Sequence, residues 1–227
     1  MSSARARARR VHERLVKFYG YPEWRAPNPP LDELISTVLS QSTNDANRDR
    51  AFAALRERWP TWQAVRQAPL PEILEAIRSA GLASQKGPRI QEILQRTFAE
   101  RGTLDLEFLR QKSREDAESW LRKLPGVGPK TASIVMLFSL GIPAFPVDTH
   151  VYRVTGRLGL RPAGQSYALA HKHLEGLFPP PDYAAVHLNL IRLGREICQA
   201  RRPKCSICPL RRMCPVGRTS GESARKP

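Results

Sequence analysis

The chain has 227 residues, with 37 Lys or Arg against 21 Asp or Glu and a formal net charge of +16. That length holds one large or two small domains with a real core, and an excess of this size excludes an indifferent surface and favours a polyanionic partner, nucleic acid first. No apolar run approaches a membrane span and the N-terminus carries no signal-peptide core, so the expectation is an intracellular, cytoplasmic protein with no membrane role.

The first ten residues set Arg5, Arg7, Arg9 and Arg10 among alanines, which reads as a basic arm feeding a helix that runs through Tyr19. Apolar residues three and four apart then predict helices over 31–40, 46–58, 71–79, 85–100, 115–123, 130–140, 149–158, 166–177 and 183–197. Thr61, Ser113 (with Asp116 three residues on) and Asp148 signal helix starts. No segment alternates with β-branched enrichment, so the predicted fold class is all-α, with short helices and short loops. From 218 onward the chain is polar and rich in Gly and Ser, and a frayed tail is expected there.

Within this helical pattern, Leu124-Pro125-Gly126-Val127-Gly128-Pro129-Lys130 stands out. One helix ends, two glycines permit a sharp turn, and proline suits the first position of the next helix. The amides of Gly126, Val127 and Gly128 are thereby predicted to face an anion, as in a helix–hairpin–helix that grips DNA phosphates without reading bases. Lys130 lies in the first turn of the second helix, where the dipole disfavours its ammonium form; it is a candidate amine nucleophile, or simply a phosphate contact. Asp148 follows in Val147-Asp148-Thr149-His150. It reads as an N-cap whose carboxylate could also stabilise a developing cation or accept a proton.

All four cysteines fall near the end as Cys198-x6-Cys205-x2-Cys208-x5-Cys214. In a reducing compartment such clustering reads as metal ligation, not disulfide formation. Pro203 and Pro209 make the intervening chain an irregular turn that can converge the sulfurs. Spacing alone leaves structural zinc and an iron–sulfur cluster both open.

Taken in order, 124–132, 147–151 and the cysteine loop resemble the endonuclease III family, the iron–sulfur branch of the helix–hairpin–helix DNA glycosylases, over nearly the whole chain from about residue 20 to 215. The resemblance implies a [4Fe–4S] cluster on Cys198, Cys205, Cys208 and Cys214, with Arg201, Arg202 and Lys204 touching phosphates from the same loop. It implies two helical lobes about a DNA-binding cleft: a six-helix lobe over 23–142 with the hairpin, a cluster lobe joining 1–22 to 143–216, and a disordered tail over 217–227. Lys130 and Asp148 are implied as the catalytic pair, facing each other from different lobes. Gln41 fills the gap left by an extruded base, Leu82 wedges into the opposite strand, and His150 approaches the lesion or the backbone. The implied protein is a nucleoid-associated monomer acting on double-stranded DNA with damaged bases or abasic sites. Its activity would be a glycosylase for oxidised pyrimidines of the thymine glycol type with an associated abasic-site lyase. The alternatives are a monofunctional glycosylase for alkylated or mismatched bases, and a non-catalytic DNA-binding iron–sulfur protein. Pro129 and Ser133 depart from the arginine and asparagine common at these positions in the family.

Overall fold

A computed structural model describes residues 3–23 and 27–219. Among them every regular element is helical, and no helix is long and apolar enough to cross a membrane. The chain divides into two compact units, one of residues 1–26 with 143–227 and the other Pro27–Ile142.

Pro27–Ile142 contains α2 (Pro30–Leu39), α3 (Asp45–Arg58), α4 (Trp62–Gln67), α5 (Leu70–Ala76), α6 (Ala83–Arg101), α7 (Arg114–Arg122) and α8 (Pro129–Val135). These are seven helices where six were expected. The additional one is α4, too short to show a period, although its N-cap Thr61 accepts from the Ala64 amide as the sequence signals. The core forms around α2, whose Leu31, Leu34, Ile35, Val38 and Leu39 are all buried. Ile90, Ile93 and Leu94 of α6 are buried in the same unit, as are Ala132 and Val135 of α8, and α2 packs on both of these helices. Apolar residues on more than one face make α2 a central helix, and central burial is the main source of stability in a helical domain. Ser113 caps α7, accepting from the Asp116 amide at 3.1 Å while its hydroxyl donates to the Asp116 carboxylate at 2.8 Å. After Val135 the helix loosens into a π turn over Met136–Leu140 and stops at Gly141, whose φ of +69° suits glycine.

The other unit joins α1 (Ser3–Tyr19) to α9 (Thr149–Arg157), α10 (Tyr167–Glu175), α11 (Tyr183–Glu196) and α12 (Pro215–Thr219). The expected N-terminal arm is already helix from Ser3, because alanine and arginine are both strong helix formers. Ala8, Val11 and Leu15 make its buried stripe. Arg7 turns inward, donating to the carbonyls of Leu158 and Met213. At the other end, Gly217–Thr219 of the expected tail close α12; the remainder of the tail, 220–227, lies outside the described residues.

Candidate functional site

In Pro27–Ile142, three turns carry the residues singled out from the sequence. The hairpin follows α7. Gly126 takes φ +73°, which favours glycine, and a Cβ there would lie 2.9 Å from Arg89 Cδ, so that side chain would have to shift. The Val127 side chain is buried, and its amide donates to Leu124 O at 3.2 Å. It anchors the hairpin, leaving the backbone of Gly126 and Gly128 as the exposed part. Gly128 caps α8, whose first intrahelical bond runs from the Ala132 amide to Gly128 O at 3.0 Å. The amides before that bond, including those of Lys130 and Thr131, belong to the positive end of the helix. Lys130 is half-buried, and Ser133 is buried one turn on.

Gln41 stands in the turn after α2, and its side-chain amide donates to Gly126 O at 3.0 Å, joining this turn to the hairpin. Leu82 follows the single 3-10 turn Arg78–Ala80. It is 49 % exposed with φ +51°, a left-handed backbone that a leucine adopts only when its surroundings impose it. Sequence reasoning missed Lys86. It is 1 % exposed, and its Nζ donates to Leu39 O at 2.7 Å and Ala80 O at 2.8 Å. Burial pushes its pKa down. The available signal was a lone lysine four positions before the buried Ile90 on the core stripe of α6.

In the second unit Asp148 caps α9, its Oδ1 accepting from the Val151 amide at 2.7 Å. The segment leading to it is clamped. Phe145 is fully buried, and its amide donates to Glu175 Oε1 at 3.0 Å. His171 Nδ1 meets Phe145 O, and His187 Nδ1 meets Pro146 O, each at 3.0 Å. Neither histidine was anticipated; both are helix residues facing inward to satisfy carbonyls that have no helical partner. His150 packs over Gly194, where an added Cβ would sit 2.8 Å from its own, and its Nδ1 lies 3.2 Å from Arg153 Nη2. One turn beyond Asp148, Tyr152 stacks on Tyr167 with ring centroids 3.8 Å apart, and Arg161 lies over the Tyr152 ring.

The four cysteines line one cavity together with Arg157, Ile197 and Arg211. Burial pushes the Cys208 thiol up; the Leu210 amide opposes the rise, while Cys198, Cys214 and Cys205 add to it, as neighbouring thiols would. Among the described residues, no three His, Cys, Asp or Glu side chains are grouped as a single metal ion requires. Four thiols lining one void are a donor set that both structural zinc and an iron–sulfur cluster accept. Arg201, Arg202 and Lys204 are exposed on this loop, with Arg202 at φ +53°.

A cavity of about 990 Å³ between α1 and residues 175–183 is lined by Arg5 and Arg9 of the basic N-terminal stretch and by none of the candidate hairpin, Asp148 or cysteine-loop residues.

Comparison with known proteins gives these turns a context. Residues 35–180 match the model of the HhH-GPD superfamily of base excision DNA repair proteins. A putative DNA glycosylase of Arabidopsis thaliana is 39 % identical over 191 residues, 79 % of this chain and 64 % of that protein. Endonuclease III of Bacillus subtilis is 34 % identical over 188 residues, 83 % of this chain and 82 % of the relative. In three dimensions, the structure of a non-covalent endonuclease III–DNA complex aligns with a TM-score of 0.84 at 30 % identity, covering 96 % of this chain and 98 % of that one. A helix–hairpin–helix fold with that breadth of similarity makes the chain a member of the endonuclease III family within the HhH-GPD superfamily, a base excision repair DNA glycosylase.

Proposed function

We propose that this glycosylase removes oxidised pyrimidines of the thymine glycol type from duplex DNA and then cuts the abasic strand, with Lys130 as nucleophile. The observation that carries the reading is a half-buried lysine in the first turn of α8, directly after a Gly-Val-Gly hairpin, in a chain of this family. Lys130 Nζ attacks C1′ of the nucleotide, and the electron pair of the glycosidic bond leaves with the damaged base. The carboxylate of Asp148 stabilises the positive charge that develops on the sugar. Ring opening gives an imine between Lys130 and C1′. Its electron demand acidifies the C2′ proton, and loss of that proton expels the 3′ phosphate by β-elimination.

Around this chemistry, the backbone of Gly126 and Gly128 holds phosphate, and Gln41 and Leu82 take the places of the extruded base and its neighbour, offsetting a few kcal/mol of lost stacking. Cys198, Cys205, Cys208 and Cys214 hold a [4Fe–4S] cluster, which when bound orders the loop presenting Arg201, Arg202 and Lys204 to phosphates. His150, tied to Arg153 and packed on Gly194, orients α9 beneath Asp148.

Borohydride reduction in the presence of abasic-site DNA tests the lysine directly. Wild-type protein is expected to give a covalent adduct, and Lys130→Ala none. An adduct that persists in Lys130→Ala assigns the imine to another amine. Base release from a thymine glycol duplex with no adduct and no strand break makes the enzyme monofunctional.

A further inference from the structure

Lys86 is a costly residue to bury. An ammonium loses its hydration, whereas a methionine would fill similar space with no charge to compensate. The use of this charge is visible in where its bonds go. Leu39 O is the last carbonyl of α2, and Ala80 O is the last of the Arg78–Ala80 turn. Both are helix C-termini, whose unmatched carbonyls and dipole favour a cation. Each acceptor also stands two residues before a residue assigned above to penetrate the duplex, Leu39 before Gln41 and Ala80 before Leu82. The Lys86 amide meanwhile donates to Leu82 O at 3.0 Å, so the same residue holds the chain on either side of Gly81 and Leu82. Both turns contain a residue other than glycine in the left-handed region, Ser42 at φ +55° and Leu82 at φ +51°, conformations that revert unless neighbouring bonds fix them.

We propose that Lys86 is a positioning residue for duplex opening: one buried ammonium sets the spacing of the turns bearing Gln41 and Leu82, so that gap filling and strand wedging occur together. This deepens the reading above and rests on Gln41 and Leu82 acting as stated there. It separates binding from opening, because the hairpin that grips phosphate does not bond to the Lys86 ammonium.

The test uses a duplex with 2-aminopurine opposite a tetrahydrofuran abasic analogue, whose fluorescence rises when the opposite base is unstacked. Saturating wild-type protein is expected to raise it. Lys86→Met is expected to lose about tenfold of that rise while its affinity for the same duplex changes by less than about threefold, since a turn displaced by an ångström misplaces its side chain but leaves phosphate contacts alone. In a Gln41→Ala/Leu82→Ala background, adding Lys86→Met is expected to have no further effect, as required of residues acting as one unit. A full rise in Lys86→Met, or an equal loss in both backgrounds, overturns the proposal. No rise with wild-type protein instead removes the roles of Gln41 and Leu82, and this inference with them. If Lys86→Met lacks a native circular dichroism spectrum, Lys86→Gln is read the same way. Its amide reaches one carbonyl, an intermediate loss is expected, and a full rise again overturns the proposal.

Discussion

The two units hold their functional turns by different means. In Pro27–Ile142 the turns are tied to one another and to a hydrocarbon core: Gln41 to the hairpin carbonyl, Lys86 to the ends of two helices, and Val127 sunk beneath the hairpin. The cysteine loop has little of this. Between 198 and 217 only Leu210, Cys214 and Gly217 are buried, and regular structure is limited to the single turns Cys205–Ile207 and Arg211–Met213 and the start of α12. What the protein supplies there is arginine. Arg14 reaches Pro209 O at 3.4 Å, Arg153 reaches Cys198 O at 3.0 Å, and Arg157 reaches Gln199 O at 2.7 Å and Ala200 O at 2.9 Å. In a loop held by its rim and lined by sulfur, the proposed metal group would supply much of the folding energy. Part of the basic excess therefore serves to hold backbone carbonyls of this loop.

Removing the metal group tests this difference most severely. Oxidative loss of the proposed cluster, or Cys208→Ala, is expected to destabilise the loop by several kcal/mol, the scale on which metal binding drives the folding of small loops. Hydrogen exchange read by mass spectrometry should then show amides of 198–214 losing protection by about a hundredfold or more, while those of α2 and α8 keep theirs. Equal loss in α2 and α8 contradicts the comparison.

How much of this was legible in the sequence follows the same divide. Periodicity located nearly every helix of Pro27–Ile142, because a buried stripe leaves a pattern of three and four; α4, at six residues, is too short to write one. The caps Thr61, Ser113 and Asp148 were readable because each is a local device, complete within four residues. Lys86, His171 and His187 were not. Their partners lie 47, 26 and 41 residues away, and nothing local marks a carbonyl in need of a donor. The burial of Val127 was not legible either: the hairpin motif is local, but how deep its side chain sits is decided by packing.

A smaller effect separates two helical glycines, one in each unit. At Gly194 an added Cβ meets His150 Cβ at 2.8 Å, an atom fixed to the α9 backbone. Gly194→Ala therefore has to move α9 and is expected to cost about 1–3 kcal/mol as overpacking. At Gly87 the Cβ meets Leu74 Cδ2 at 2.3 Å, the far end of a half-buried side chain that can swing aside. Alanine there also gains about 1 kcal/mol of helix propensity. Thermal melts should show Gly194→Ala lowering Tm by several degrees and Gly87→Ala staying near the wild type. A Tm for Gly87→Ala as low as for Gly194→Ala would mean that Leu74 cannot yield.

The finest distinction concerns caps. Ser113 and Asp148 do the same structural task in different units, each accepting from the amide three residues on. Removing either hydrogen bond by substitution with alanine is expected to cost about 1 kcal/mol. Asparagine caps as well as aspartate, so Asp148→Asn should lie within about 0.5 kcal/mol of the wild type in chemical denaturation. Its charge is gone, however, and single-turnover base release is expected to fall by about a hundredfold or more, the scale of removing one group that stabilises transition-state charge. Ser113→Ala should show the reverse, less stable and fully active. Rate then falls without a matching loss of stability at Asp148 alone, which is what distinguishes a carboxylate that acts on substrate from a side chain that only begins a helix. Unchanged base release in Asp148→Asn reduces Asp148 to the second role, and the chemistry has to be sought in another residue.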